Sequence, residues 1–390
     1  MGLTDPMRRW PPPPGRDETA AVTDVLASGV WTDGRWTRTV EQRLADLTGA
    51  PHAVAFNSCT SALHAALLAA GAGPFSRITA PAFTFAGTVT GAVHIGAALD
   101  FADIAPDTLT IALPHGEPGR AVGIVLAVDL HGVPHPLNRA DPRVITDACQ
   151  ALGTTHTGPG DSTGDAAGAP RHLGHTGTHA WSFSAAKLAA APDGGAVTTG
   201  SADLADTLRE LRDYGIPPGE PGRPRAASAV RNPGGHNWRP SEITMALVAH
   251  RLDTVHVHAG RARQVTAAVH DACDRAGFWR QQAPPGAFPA WHKIRVAVPG
   301  GLLPGSDGGR GVPAPETFRR TTELVSRLRE AGIPTHVWGT PPLHHHPAFR
   351  PAPARRRPAP VAETVAETTV CLGTEACPPW TWTDDEVERV

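Results

Sequence analysis

Only two of the 35 basic side chains in this 390-residue protein are lysines, Lys187 and Lys293; arginine supplies the rest. GC-rich coding replaces Lys by Arg wherever charge alone matters. Arg does not deprotonate in proteins and is no nucleophile, so a retained lysine is a candidate for chemistry that needs a free amine. Lys187 follows THAWSFS (178–184) and sits among Ser, Ala and Leu, with no carboxylate within five positions on either side. It is either a surface lysine or a desolvated one, whose lowered pKa and free amine suit Schiff-base chemistry. Lys293, in HKIRVAV (292–298) beside His292 and Arg295, is expected to be structural or exposed.

Asp147 closes the apolar segment RVITDA (143–148). It either caps the following helix or is a buried carboxylate beside a cationic partner, since an unpaired buried carboxylate is costly. The segment HAVAF (52–56) runs into Asn57-Ser58-Cys59-Thr60 and then into a helical stretch. Ser58 or Thr60 is either a simple N-cap or part of a phosphate site at a helix N-terminus. GxGxxG and GxxxxGK[ST] are both missing, so no dinucleotide or NTP loop is expected. His344, His345 and His346 are adjacent, cannot all face one ion and have no acidic or Cys partner at ligand spacing, so no metal site is expected.

These residues need a scaffold. Apolar runs at 52–56, 77–83, 97–104, 123–130, 143–148, 178–184 and 195–199 read as strands, and the stretch 61–73 reads as a helix. Strands separated by helical lengths predict an α/β domain with a mostly parallel sheet. Ligands of such sheets gather at the carboxyl ends of the strands, where Asn57–Thr60, Asp147 and Lys187 fall. Helices are expected over 204–215, over 241–277 as one or two long helices, and over 317–332; a further strand is expected at 293–298. Segments 158–171, 300–316 and 350–360 read as loops. The expected division is an N-terminal arm (1–24), a large α/β domain (25–255) and a small C-terminal α+β domain (256–390).

Bulk properties narrow the function. Net charge is −2, so no pull towards nucleic acid or anionic membrane is expected. No run of eighteen apolar residues is present, and the first residues have no apolar core that would make a signal peptide. Five scattered cysteines without a CxxC pair fit a reducing cytoplasm and indicate neither a disulfide framework nor a zinc site.

The combination NSCTSAL (57–63), PAFTFAGT (81–88), ITDACQALG (145–153), WSFSAAK (181–187), DGGAVTTG (193–200) and HNWRPSEI (236–243) resembles the DegT/StrS-type aminotransferases. These are pyridoxal-phosphate enzymes of fold type I that aminate keto-sugars, usually nucleotide-linked, or ketocyclitols. The resemblance is clear over about 25–275 and continues weakly to the end. It implies a large domain with a mostly parallel seven-stranded sheet flanked by helices, plus a smaller α+β domain.

The resemblance also implies roles. Lys187 would hold the cofactor covalently and move protons. Asp147 would pair with the pyridinium nitrogen, Gln150 would hydrogen-bond near the phenolic oxygen, and Phe85 would stack on the ring. Cys59, Thr60 and Ser182 would bind the phosphate. Asn237 would reach the phosphate of a neighbouring subunit, which implies a homodimer with shared sites. The amino donor would be L-glutamate or L-glutamine, in secondary-metabolite or surface-sugar biosynthesis. The alternatives are a dehydratase, which in this family has His in place of the lysine, or a non-catalytic regulatory protein on the same fold. Asp129-Leu130-His131-Gly132 departs from the family's His-Leu-Tyr-Gly, so polar groups near the substrate are expected to be arranged differently.

Overall fold

A computed structural model describes residues 10–113, 123–157, 170–218, 230–299, 315–336, 341–349 and 358–389, with side chains of the helix at 315–330 described from residue 319. The first part of the chain forms α1 (Arg16–Ser28), α2 (Arg35–Thr48), β1 (His52–Phe56), α3 (Cys59–Ala69), β2 (Arg77–Pro81), α4 (Gly87–Ile95), β3 (Ala98–Ala102), β4 (Ile124–Val128) and β5 (Val144–Asp147). Next come β6 (Thr155–His156), β7 (Arg171–His172), β8 (Thr178–Ser182), β9 (Gly195–Thr199), α5 (Ala202–Arg212), α6 (Glu242–Leu252) and α7 (Val255–Ala276). The remainder forms β10 (Trp279–Arg280), β11 (Ala287–Phe288), β12 (Ile294–Ala297), α8 (Pro315–Glu330), β13 (Thr335–His336), α9 (Pro360–Thr368), β14 (Thr369–Leu372) and α10 (Asp384–Glu388).

The seven expected strands make one seven-stranded sheet in the order β1-β9-β8-β5-β4-β2-β3. Pairing is parallel from β8 through β5, β4 and β2 to β3, and β9 runs antiparallel to both of its neighbours. Both faces are covered, so the central strands are apolar throughout: all of IVLAV in β4 is buried. Alternate residues serve opposite faces. Val54, Phe56, Ala180 and Val197 join one core, while Ala53, Ala55, Trp181 and Ala196 join the other.

Under this sheet lies a buried polar knot. Asp129 accepts from both terminal nitrogens of Arg139, at 3.1 and 2.9 Å, and from the His135 backbone N–H at 2.9 Å. Arg139 also meets His179 Nε2 at 3.2 Å, which ties the loop after β4 to β8. The helical stretch 241–277 is two helices, broken at Asp253-Thr254. Over its 22 residues, about 33 Å, α7 buries Val255, Ala259 and Ala262 in the large core and Val265, Val269 and Cys273 in a second core. That second core lies on an antiparallel sheet, β10-β12-β14-β13, through Ile294, Val296, Val370 and Leu372. A small sheet, β11-β6-β7, brings residues 155–156 and 171–172 together with 287–288. Arg171, expected in a loop, is therefore in a strand, while 158–169 lies outside the described residues.

Running across the expected boundary between arm and large domain, α1 packs Ala21 and Val25 against Ala246 of α6. Trp10 sits edge-on to Trp380 at 5.5 Å, and its indole N–H donates to the Lys187 carbonyl at 3.1 Å. Among the described residues no helix is long and apolar enough to cross a membrane.

Candidate active site

The carboxyl ends of β5 and β8, the start of α3 and one end of the antiparallel sheet enclose a cavity of about 300 Å³. Cys59, Thr60, Phe85, Asp147, Gln150, Ser182 and Lys187 all line it. Asn237 does not: it is exposed, bridges to Asp213, and its Oδ1 accepts from Arg239 Nε at 3.3 Å.

One end of the cavity is the N-terminus of α3. Ser58 is the N-cap, its Oγ accepting from the Ser61 N–H at 3.1 Å, while its carbonyl accepts from Ala62. Ser58 thus fulfils the capping reading, and the N–H groups of Cys59 and Thr60 have no protein acceptor among the described residues. Unsatisfied N–H groups at a helix start, with the helix dipole behind them, suit an anion. Ser58 bridges to Gly194, and a Cβ on Gly195 would stand 2.4 Å from the Cys59 nitrogen. Glycine there lets β9 pass beneath the helix start. Ser182 and Ser184 add hydroxyls, 3.4 Å apart.

Asp147, the last paired residue of β5, is buried. Its Oδ2 accepts from Thr88 Oγ1 at 2.7 Å and its Oδ1 from the Cys149 N–H at 3.1 Å. No Lys or Arg forms an ion pair with it among the described residues, so this buried carboxylate lacks the cationic partner the sequence suggested. Gln150 is oriented by His131, whose backbone N–H donates to its Oε1 at 2.6 Å. The amide NH2 must then be the other terminus, and it is left as a donor at the cavity wall. Phe85 lies 61% exposed on this wall, an aromatic face without a cover.

The Asp129–Gly132 departure resolves into two parts. Asp129 is locked inward on Arg139, whereas His131 faces the cavity, with a left-handed backbone (φ 61°) and its Nδ1 2.7 Å from Gln281 Oε1. Burial, and then the charge of Arg295, hold this imidazole neutral, well below the usual histidine range.

The opposite wall belongs to the antiparallel sheet and contributes His292, Lys293, His336, Cys371 and Glu375. This corrects the expectation for Lys293. It is 5% exposed and faces the same cavity as Lys187, because Trp291, in a left-handed conformation (φ 46°), turns the chain into β12 just before it. Desolvation lowers the Lys293 pKa to about 8, with Lys187 adding repulsion and the Cys371 and Glu375 charges opposing. Burial, with Lys187 and Lys293 nearby, keeps His292 neutral, and burial together with Lys293 brings His336 down to about 4.

Sequence reasoning missed that wall. Its residues come from three strand ends spread over 292–375, and the only signal was the rarity of lysine. Thr88 and Asp193 lay inside quoted motifs without being singled out. The His run also needs correction. Glu363 of α9 is an acidic partner after all, its Oε1 2.9 Å from both His344 Nε2 and His345 Nε2. The Arg355–Arg357 run lies outside the described residues.

Known proteins share this architecture. Solved structures similar to the chain include S. venezuelae DesV in complex with a ketimine intermediate, at 24% identity and TM-score 0.77, covering 95% of this chain and 91% of that one. Sugar aminotransferase CalS13 from Micromonospora echinospora is 23% identical, with TM-score 0.77, covering 98% and 97% of the two chains. DesI, in the presence of its TDP-sugar product, is 26% identical, with TM-score 0.74, covering 98% and 89%. These likenesses speak for the fold. The family is carried by a sequence model that matches residues 14–390, nearly the whole chain, and the protein belongs to the DegT/DnrJ/EryC1/StrS aminotransferase family.

Proposed function

We propose that the protein is a pyridoxal-phosphate-dependent aminotransferase that moves an amino group from L-glutamate or L-glutamine to a keto-sugar, in nucleotide-linked form, or to a ketocyclitol, in secondary-metabolite or surface-sugar biosynthesis. The observation that carries the cofactor reading is Asp147. A buried carboxylate, hydrogen-bonded but without an ion-paired cation among the described residues, opens onto the cavity that holds the Lys187 amine and the free N–H groups of α3. A pyridinium N–H would supply the missing positive partner, a phosphate would take the helix end, and a planar ring would cover Phe85. When bound, pyridoxal phosphate supplies an electron sink at a reactive carbonyl.

The chain's own residues do the rest. Lys187 is the covalent anchor and, once released, the base that removes and returns the proton at the substrate carbon bearing nitrogen. Asp147 keeps the ring nitrogen protonated. Thr88 and the Cys149 N–H hold Asp147 in place without neutralising it. Gln150 donates its amide to the ring's phenolic oxygen. Cys59, Thr60 and Ser182 bind the phosphate. The large domain (25–255) carries these groups, and the small domain (256–390) closes the site. Asn237, exposed beside the half-exposed Tyr214, fits a contact to the phosphate of a second subunit in a homodimer with shared sites.

The test is two half-reactions followed by absorbance. L-glutamate or L-glutamine should convert the yellow, cofactor-loaded protein to the amino form and release the oxo-acid. A panel of keto-sugars and ketocyclitols should then restore the yellow form. A protein that takes up the cofactor but responds to no amino donor contradicts the reading.

A further inference from the structure

Both lysines of a 390-residue chain line one cavity, and only one of them is used above. Lys293 immediately precedes β12, an interior strand of the antiparallel sheet, and is buried, with its Nζ donating to the Gly373 carbonyl at 3.3 Å. An ammonium has three N–H donors. That one long bond is the protein contact made by its Nζ among the described residues, and no carboxylate lies within ion-pair distance. A buried cation with two donors unused is costly unless a ligand completes it. Its neighbours add no compensating ion pair: His292 and His336 are held neutral, and Glu375 is on the same wall without reaching it.

We propose that Lys293 binds the carboxylate of the amino donor and of the oxo-acid it becomes. The inference rests on the transamination reading above. An amino acid held by its nitrogen near Lys187 carries its α-carboxylate two bonds from that nitrogen, inside the cavity that Lys293 also lines. There Lys293 is near enough to Lys187 to feel its charge. A keto-sugar has no carboxylate. Lys293 therefore distinguishes the two partners of one site: it favours the amino donor and its oxo-acid, and offers no ion pair to the keto-sugar ring itself. A nucleotide-linked acceptor offers the rival anion, its diphosphate, and the test must separate the two.

The probe is 2-oxoglutarate, titrated by calorimetry into the full-length protein with and without pyridoxal phosphate, with thymidine diphosphate in a parallel arm. Lys293→Met should weaken 2-oxoglutarate about 10- to 100-fold, the range of a charge-assisted hydrogen-bonded contact, and leave thymidine diphosphate unchanged. Lys293→Arg should recover part of the affinity. Because Met removes a buried unpaired charge at similar volume, the Met variant should melt at the same temperature as the wild type or higher. A structural lysine would lower it. Wild-type affinity for 2-oxoglutarate should also fall as pH is raised above about 8, where Lys293 loses its proton, and the Met variant should lack this dependence. The groups facing Lys293 that could confuse the profile are Lys187, Glu375, Cys371 and Cys377, together with His292 and His336, which are already neutral there.

Unchanged 2-oxoglutarate affinity in Lys293→Met, or a loss confined to thymidine diphosphate, overturns the proposal. None of these titrations requires turnover. A protein that binds 2-oxoglutarate through Lys293 but never exchanges an amino group refutes the functional reading while keeping Lys293 as a carboxylate site, so the two failures are distinguishable.

Discussion

The two walls of the cavity are built by different rules. The parallel-sheet wall collects Asp147, Ser182 and Lys187 because adjacent parallel strands all end on the same edge, so their C-terminal loops converge. The antiparallel wall has no such edge. His292 and Lys293 precede β12, His336 ends β13, and Cys371 and Glu375 come from β14 and the turn after it. Among the described residues, one wall holds a carboxylate that lacks an ion-paired cation, the other a cation that lacks an ion-paired carboxylate. In the proposed reading a cofactor would satisfy the first and a substrate the second. The difference separates fixed chemistry from exchangeable recognition.

That contrast can be attacked in order of expected effect. Lys187→Arg keeps the charge and loses the chemistry, so kcat should fall roughly 10⁴-fold or more in steady-state transamination. A Lys293→Met variant equally dead with every donor would erase the distinction between the walls. Asp129→Asn breaks the buried ion pair that supports the parallel wall and leaves Arg139 uncompensated; urea unfolding should show a loss of about 3–5 kcal/mol. Asp147→Asn should lower kcat about 100-fold with the melting temperature little changed, since the Asn oxygen can accept from the Cys149 N–H while its NH2 donates to Thr88 Oγ1, whose own proton can turn to Thr84.

The smallest effect concerns stability and pH. The Lys293 pKa is lowered on folding from 10.5 to about 8, so between those values the unfolded chain holds more protons than the folded one. Wild-type stability should therefore gain with rising pH over that window relative to Lys293→Met, and lose the gain on return to pH 8. Parallel urea curves for the two proteins at both ends of the window check this. Identical pH dependence would place Lys293 in water.

The sequence made the parallel wall legible because its signals are local. Each strand is a short apolar run, and the chemical residue follows within a few positions, as Asp147 follows VIT and Lys187 follows THAWSFS. Five of the seven strands, all but β1 and β9, end one or two residues sooner than hydrophobicity alone suggests. Ser182 is the last paired residue of β8, because the backbone leaves the ladder there to present the site. Lys293 was misread because its flanks, His292 and Arg295, look like a polar surface segment. Both are in fact buried, Arg295 against the ring of Phe83 at 4.8 Å. The contact of His344 and His345 with Glu363 spans some eighteen residues and depends on how α9 docks, which periodicity does not encode.

The most direct test of the account uses the scarcity of lysine itself. The protein loaded with pyridoxal phosphate is reduced with borohydride, digested and mapped by mass spectrometry. The account predicts the cofactor's mass on the peptide containing Lys187, with the Lys293 peptide unmodified. Label on Lys293, or on neither lysine, would contradict it.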